Sequence, residues 1–296
     1  MESSDDGGDP YTTIAKTSLL AFIFLFSCHK PSRVIFTPPV AVLQQPVVIS
    51  KIIDANETKP LKPRKKKKKL YLTFDDGPNR GTKNVLHIMQ DEKVPVTFFI
   101  VGEHVFASSS QGRMWDSLQM AREIELCNHS YSHAHNHYEK FYQYPDSVVH
   151  DFERSQDSLH LKNDIVRTPG RNIWRTDSIQ FTDIKKSAAA ADSLQKAGFI
   201  VMGWDLEWQF DHKTMSVMTS AEKMSDEIDS VFRKGNTKHP DHLVLLAHDQ
   251  VYAKSADSFQ LRQLIKILKE KDEYELSLAS AYPGTTPQKK DTVAVK

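Results

Sequence analysis

The sequence predicts an α/β domain built as a distorted (β/α) barrel of about seven strands. Three observations point there. Short apolar, β-branched runs alternate with longer segments of helical period. Hydrophobic residues make up 39% of the 296, enough for a packed core. Polar, titratable residues follow five of the predicted strands, and a barrel of this class gathers its active site at the strand C-terminal ends.

The elements run as follows. Leu70 to Phe74 is an apolar strand, and Thr82 to Asp91 suits a helix. Val96 to Val101, β-branched and aromatic, is a second strand. Arg113 to Arg122 reads as helix, Glu125 to Cys127 as strand, and Pro145 to Leu161 as a helix with Val148, Val149, Phe152 and Leu159 at apolar spacing. Ile165–Val166 is a brief strand. Ser187 to Ala197 is an Ala-rich helix that Gly198 breaks before the strand Phe199 to Trp204. Ala221 to Arg233 is helical, Leu243 to Ala247 a buried strand, Phe259 to Glu270 an amphipathic helix, and Glu275 to Leu278 a last strand. Such repeated units imply parallel strands with crossover helices, although spacing alone does not separate a barrel from an open sheet.

Charge is nearly balanced, 39 Lys and Arg against 38 Asp and Glu, so the net +1 gives no whole-chain argument for nucleic acid. Two cysteines, Cys28 and Cys127, exclude a disulfide scaffold and a four-cysteine zinc site. No His-Glu-x-x-His occurs, which sets aside that class of metalloprotease.

The chemistry-bearing residues sit after the strands. Asp75-Asp76-Gly77-Pro78 follows the first; one carboxylate can bind a metal while its neighbour acts as a base, or the group is a solvated turn. His129 and His133 stand four apart, which on a helical turn places both imidazoles on one face. With one Asp they make a two-histidine, one-carboxylate set that leaves positions open for water and substrate. His135 and His137 are alternative ligands or exposed loop residues. Arg167-Thr168-Pro169-Gly170-Arg171, Asp205-Leu206-Glu207-Trp208 and His248-Asp249 follow later strands.

Together these motifs resemble the polysaccharide deacetylase family, which includes chitin, chitooligosaccharide, peptidoglycan and acetylxylan deacetylases. Thr73 to Pro78 is similar to its first motif, His129-Ser130-x-x-His133 to its second and Leu246-Ala247-His248 to its fifth, over roughly Leu70 to Ser280. The resemblance implies Asp76, His129 and His133 as metal ligands, Asp75 as general base, Arg167 as the partner of that base and His248 as general acid. It implies a divalent metal, with zinc suited to the ligands and cobalt, nickel or manganese as alternatives. In the third motif the family's aromatic residue before Gly is missing, which puts in doubt the role of the Gly170 N–H toward an oxyanion. Arg171 and Arg175 bind anionic substrate groups or are surface residues. The fourth motif departs further. Trp208, with Leu246, is the expected wall of the acetyl pocket. Asp205, Glu207 and Asp211 compete to tune His248, Asp205 ranked first. Trp204 is core or site.

The implied activity is removal of acetyl groups from N-acetylated amino sugars of a polysaccharide, a peptidoglycan or chitin-like glycan. The alternatives are an O-acetyl xylan esterase and an inactive glycan-binding domain. The partner is the acetylated polysaccharide, with no nucleic acid, and a monomer is expected.

Residues 1–28 read as an export signal: Lys16, then the apolar run Leu19 to Phe26, then Leu25-Phe26-Ser27-Cys28, similar to a bacterial lipobox. A lipid on Cys28 would be the only membrane attachment, in the cell envelope. Residues 29–68 read as a Pro-interrupted linker ending in the run Lys65 to Lys69, either a solvated charge run or an attraction to anionic polymer or lipid. The catalytic domain spans 69–281, and 282–296 is a polar tail expected to be disordered.

Overall fold

The computed structural model describes residues 66–285. The expectations for the signal, the lipid on Cys28 and most of the linker and tail lie outside these residues.

The central strand is β1, Lys68–Gly77. Its alternation sorts two cores. Leu70, Leu72 and Phe74 pack into the large cluster beneath the helices, while Tyr71 joins a second cluster on the concave face. Each fully buried Leu or Phe on the helix side contributes roughly 1.5–3 kcal/mol. Thr73 and Asp75 share the concave face by the same alternation. β1 pairs in parallel with β2, Val96–Ile100, and with β11, His242–His248. From β2 the sheet continues through β3, Ile124–Asn128, β4, Ile165–Val166, and β7, Ile200–Val201, all parallel. The hairpin of β5, Ile173–Arg175, and β6, Gln180–Thr182, closes that edge antiparallel. On the other side β11 pairs with β8, Leu206–Glu207, and β12, Tyr274–Leu276, joins the start of β1. A separate two-stranded ribbon joins β9, Phe210–Asp211, to β10, Ser216–Val217.

The α/β class holds, and the curled mixed sheet forms a half-barrel whose two edges, β6 and β8, do not pair with each other. The strands number more than seven because several are only two or three residues long, too short to leave a periodic signal.

Helices α1, Thr82–Glu92, α2, Gly102–Phe106, α3, Ser109–Met120, α4, Tyr138–Phe141, and α5, Pro145–Leu159, fall in the first half. α6, Ala188–Lys196, α7, Ala221–Lys234, and α8, Ser255–Lys271, complete the set. α5 starts with Pro at its first turn, where no backbone donor is needed. α7 opens on Ser220, whose side chain accepts from Lys223 N–H, and stops at Gly235 with φ +66.

The lysine run has a structural use. Lys68 and Lys69 open β1, Lys69 bonds Glu275 at 3.1 Å, and Lys67 pairs with Asp272. Cys127 is fully buried on the concave face; burial holds its thiol well above its ordinary pKa, as suits a small apolar filler.

Candidate active site

The C-terminal ends of β1, β3 and β11 converge. Asp75 extends from the concave face and is almost fully buried. Arg167, itself without solvent exposure, donates to Asp75 Oδ1 and to Thr73 Oγ1, both at 2.8 Å. Its remaining donors reach the carbonyls of Met202 and Gly203, and the guanidinium lies 4.0 Å over the Phe99 ring. Asp75 therefore has one fixed oxygen and one, Oδ2, turned toward His129 at 3.6 Å from Nε2.

Asp76 would point into the helix layer if β1 continued its pleat. Instead its backbone takes φ +74, and its carboxylate turns to the same site. Oδ1 lies 3.5 Å from His129 Nε2 and 3.2 Å from His133 Nε2. Gln250 donates to Oδ2 at 3.2 Å. His104 Nδ1 meets the Asp76 carbonyl at 2.8 Å. Burial works to raise the Asp76 pKa, but the bonds from His129 and His133 and the nearby His248 outweigh it and hold the carboxyl well below its usual range. Burial likewise disfavours a charged His129, yet Asp75 and Asp76 prevail and raise it.

The histidine loop is pinned, but not as a helical turn. Ser130 and His133 have positive φ, and the short 3-10 segment beginning at His133 contains left-handed residues. The loop is held instead by side chains: Asn128 Oδ1 accepts from Ser130 N–H, Ser130 Oγ from His133 N–H, and Asp151 from the amides of Tyr131 and Ser132. The four-residue spacing thus converges by loop geometry.

Asp76, His129 and His133 each offer one donor atom, all within 4.8 Å of one another. The donor set suits a divalent cation. His129 Nδ1 lies 2.9 Å from the Arg167 carbonyl, which can only accept, so Nδ1 carries the proton and Nε2 keeps its lone pair for a metal. His135 is exposed and bonds Glu103 at 3.1 Å, and His137 is exposed; neither belongs to this cluster.

His248 stands opposite Asp75 in the β1–β11 register, and Leu246 opposite Thr73, on the same concave face. Gly170 takes φ +63 beneath the Tyr138 ring, which would lie 3.1 Å from any added Cβ. Tyr138 also meets His133 edge-on at 5.7 Å. A ring is thus present near the third motif, supplied by α4 rather than by the residue after Pro169.

The fourth motif is where sequence and structure differ. Trp208 faces the helix layer among Phe74, Leu245, Ala247 and Leu261, and its indole donates to the Thr219 carbonyl at 3.1 Å. It is core, because the strand alternation turns it away from the concave face. Half-buried Trp204 lies on that face, 6.0 Å from the Arg167 guanidinium. Asp205 is not beside His248. It accepts from the amides of Lys238 and Val244, and Val244 precedes His248 by four residues along β11. Asp211 caps the amides of Lys213 and Thr214. The ring against His248 is Phe210, 5.0 Å away, and the buried His248 Nδ1 has no hydrogen-bond partner among the described residues. Arg175 is no substrate ligand: it is buried, bonded to Asp192 at 2.7 Å and to the Trp174 and Phe181 carbonyls.

One buried carboxyl was noted after its strand in the sequence but given no role. Asp249, fully buried, accepts from Asn79 Nδ2 and Thr82 Oγ1 and so ties the loop after Asp76 to the end of β11. Gly81 must be glycine here, since a Cβ would lie 1.8 Å from the Asp249 carbonyl oxygen. Burial, with the Asp76 charge behind it, pushes the Asp249 carboxyl up to about 7. The Asn-x-x-Thr that follows Pro78 was the available signal.

The chain is thus a curled α/β half-barrel with a two-histidine, one-aspartate cluster at its strand ends. The family model described as polysaccharide deacetylase matches residues 62–173 of this chain. It is 28% identical over 215 residues to a putative polysaccharide deacetylase, YheN, of Bacillus subtilis (strain 168), covering 69% of this chain and 64% of that protein. It is 22% identical to the chitin disaccharide deacetylase of Vibrio alginolyticus, over 62% of each. The chain thus spans less than two thirds of the length of these relatives. Its fold is similar to that of a solved Streptococcus mutans CE4 esterase, with a TM-score of 0.54 and 22% identity over 72% of this chain and 86% of that one.

Proposed function

We propose that this chain hydrolyses acetyl groups from the N-acetylated amino sugars of a polysaccharide, with a divalent metal, zinc by the character of the ligands, held by Asp76, His129 and His133. The observation that carries the reading is the convergence of those three side chains beside a second, Arg167-bound carboxylate. When bound, the ion supplies Lewis-acid polarisation and lets water lose a proton near neutral pH.

The chain's own residues supply the rest. Asp75, with Oδ2 directed into the site, takes the proton of the attacking water while Arg167 fixes its other oxygen. The Gly170 amide stands as oxyanion donor. His248, across from Asp75, donates a proton to the departing nitrogen. Leu246 and Trp204 take the place of pocket wall, in the position expected of Trp208. Export and a lipid on Cys28 belong to this reading, on residues outside the described ones.

The test pairs metal binding with turnover. His129→Ala should abolish both zinc binding by calorimetry and acetate release from N-acetylglucosamine oligomers. Acetate release by the variant at the wild-type rate would refute the assignment. Faster release from acetylated xylan than from the oligomers would move the activity to O-acetyl esters.

A further inference from the structure

Beside the metal cluster lies a cavity of about 980 Å³ whose charge is of one sign. Arg80, Lys83, Lys254 and His104 line it, and no aspartate or glutamate does. The chain as a whole carries 38 acidic residues against 39 basic ones, so a lining this uneven departs from its mixed surface. Arg80 and Lys83 are exposed and form no ion pair among the described residues. Lys254 is held by neutral acceptors, the Thr214 carbonyl and Ser216 Oγ. Lys83 also occupies the first turn of α1, which has no acidic residue there and where the helix dipole disfavours a cation. Among the described residues no carboxylate pairs with Arg80, Lys83 or Lys254.

Two residues of the cavity wall touch Asp76 and so place the cavity next to the candidate reacting centre. His104 lines it and touches the Asp76 carbonyl; Gln250 lines it and donates to the Asp76 carboxylate. A polymer whose acetamido group sits at Asp76, His129 and His133 would place a neighbouring sugar here.

We propose that this cavity is a subsite for an anionic sugar substituent, so that the preferred substrate is an acidic glycan rather than a neutral one. The proposal rests on the deacetylase reading for the position of the acetamido group. Arg80 offers a planar fork suited to carboxylate or phosphate oxygens, with Lys83 and Lys254 as point charges. The carboxylate of a uronic acid and the phosphate of a sugar phosphodiester share this chemistry.

The experiment uses the full chain loaded with zinc and three oligomers. One alternates N-acetylated amino sugars with uronic acid residues. The second is the same oligomer with its carboxyls reduced to alcohols. The third joins N-acetylated amino sugars by phosphodiesters. The expected kcat/KM is about tenfold higher for an anionic oligomer than for the reduced one, the scale of one to two partly exposed ion pairs. In Arg80→Gln/Lys83→Gln that ratio should fall to about one, and it should shrink in the wild type at high salt. Preference for the uronate or for the phosphodiester oligomer identifies which anion is used. Equal kcat/KM on all three, or a ratio unchanged by the double substitution, overturns the subsite while leaving the deacetylase reading intact. If no oligomer releases acetate, the deacetylase reading fails instead. Calorimetric binding of the uronate and reduced oligomers then decides the subsite, equal affinities overturning it.

Discussion

Replacing Arg167 with Met tests whether the proposed base is held by a single buried cation. Arg167 has no solvent exposure and spends its donors on Asp75, Thr73, Met202 and Gly203. Methionine fills much of the volume but leaves Asp75, with only 3% of its side chain exposed, without a counter-charge. Breaking a buried pair from one side costs about 3–5 kcal/mol, because the stranded charge keeps its desolvation penalty. For a domain of this size that lowers the midpoint of thermal unfolding by roughly 6–20 °C. Asp75→Asn should cost a similar amount by stranding the guanidinium. The double variant, Asp75→Asn with Arg167→Met, strands no charge, so its cost should fall short of the sum of the singles by at least about 2 kcal/mol. Urea unfolding followed through buried Trp174 and Trp208 measures all four corners, and none of the three variants should release acetate. Single costs that add to within about 0.5 kcal/mol would refute the reasoning, as would an Arg167→Met cost below about 1 kcal/mol.

Two further outcomes follow from the same geometry. Asp249 has its folded carboxyl raised to about 7, against an ordinary value of 3.8, so the folded state binds the proton more tightly than the unfolded one. Its contribution is therefore fully present below about pH 4 and is lost as pH rises through 7, with a ceiling of about 4 kcal/mol. Asp249→Asn should flatten unfolding free energy measured between pH 4 and 8; an unchanged slope would show that another group sets it. Trp208→Ala should cost about 3–5 kcal/mol in urea unfolding as a core deletion. Trp204→Ala should cost less and lower kcat/KM for acetate release more than Trp208→Ala does, and the reverse order would restore Trp208 to the pocket wall.

What was legible followed from periodicity and from strand ends. The helices from Thr82, Pro145 and Ala221 begin where the sequence reading places them, because a proline or a serine cap marks two of these starts and apolar spacing the third. The central strands were legible because burial on both faces makes them continuous apolar runs. β5, β6 and β8 were not, since two or three residues carry no period. Asp75, Asp76, His129 and His133, which the fold brings together, stood out in the sequence because each lies within a few residues of a strand end. Trp208 was misplaced for a reason of parity. It follows β8, and which face a residue takes there depends on the β8–β11 register, Leu206 against Leu245, which sequence spacing does not encode. Phe210 was invisible as a neighbour of His248 because a lone aromatic residue in a two-residue strand reads as core.

The adjacency of Asp75 and Asp76 also shows how the fold makes its reactive end. A regular strand sends neighbouring side chains to opposite faces, so two consecutive carboxylates cannot serve one site while the pleat persists. The chain departs from the pleat at Asp76, at φ +74, a region that costs a residue with a Cβ on the order of 1 kcal/mol. Aspartate tolerates that region better than most residues. The departure also shifts the β1–β2 register between Phe74 and Gly77. Beyond it, Asp249 accepts from Asn79 and Thr82, and Gly77 and Gly81 let the β11 end approach the loop. The strained residue is thus backed by the loop that follows it and by the end of β11. The strain is local, its support comes from the end of β11, which carries His248, and both carboxylates reach His129 because of it.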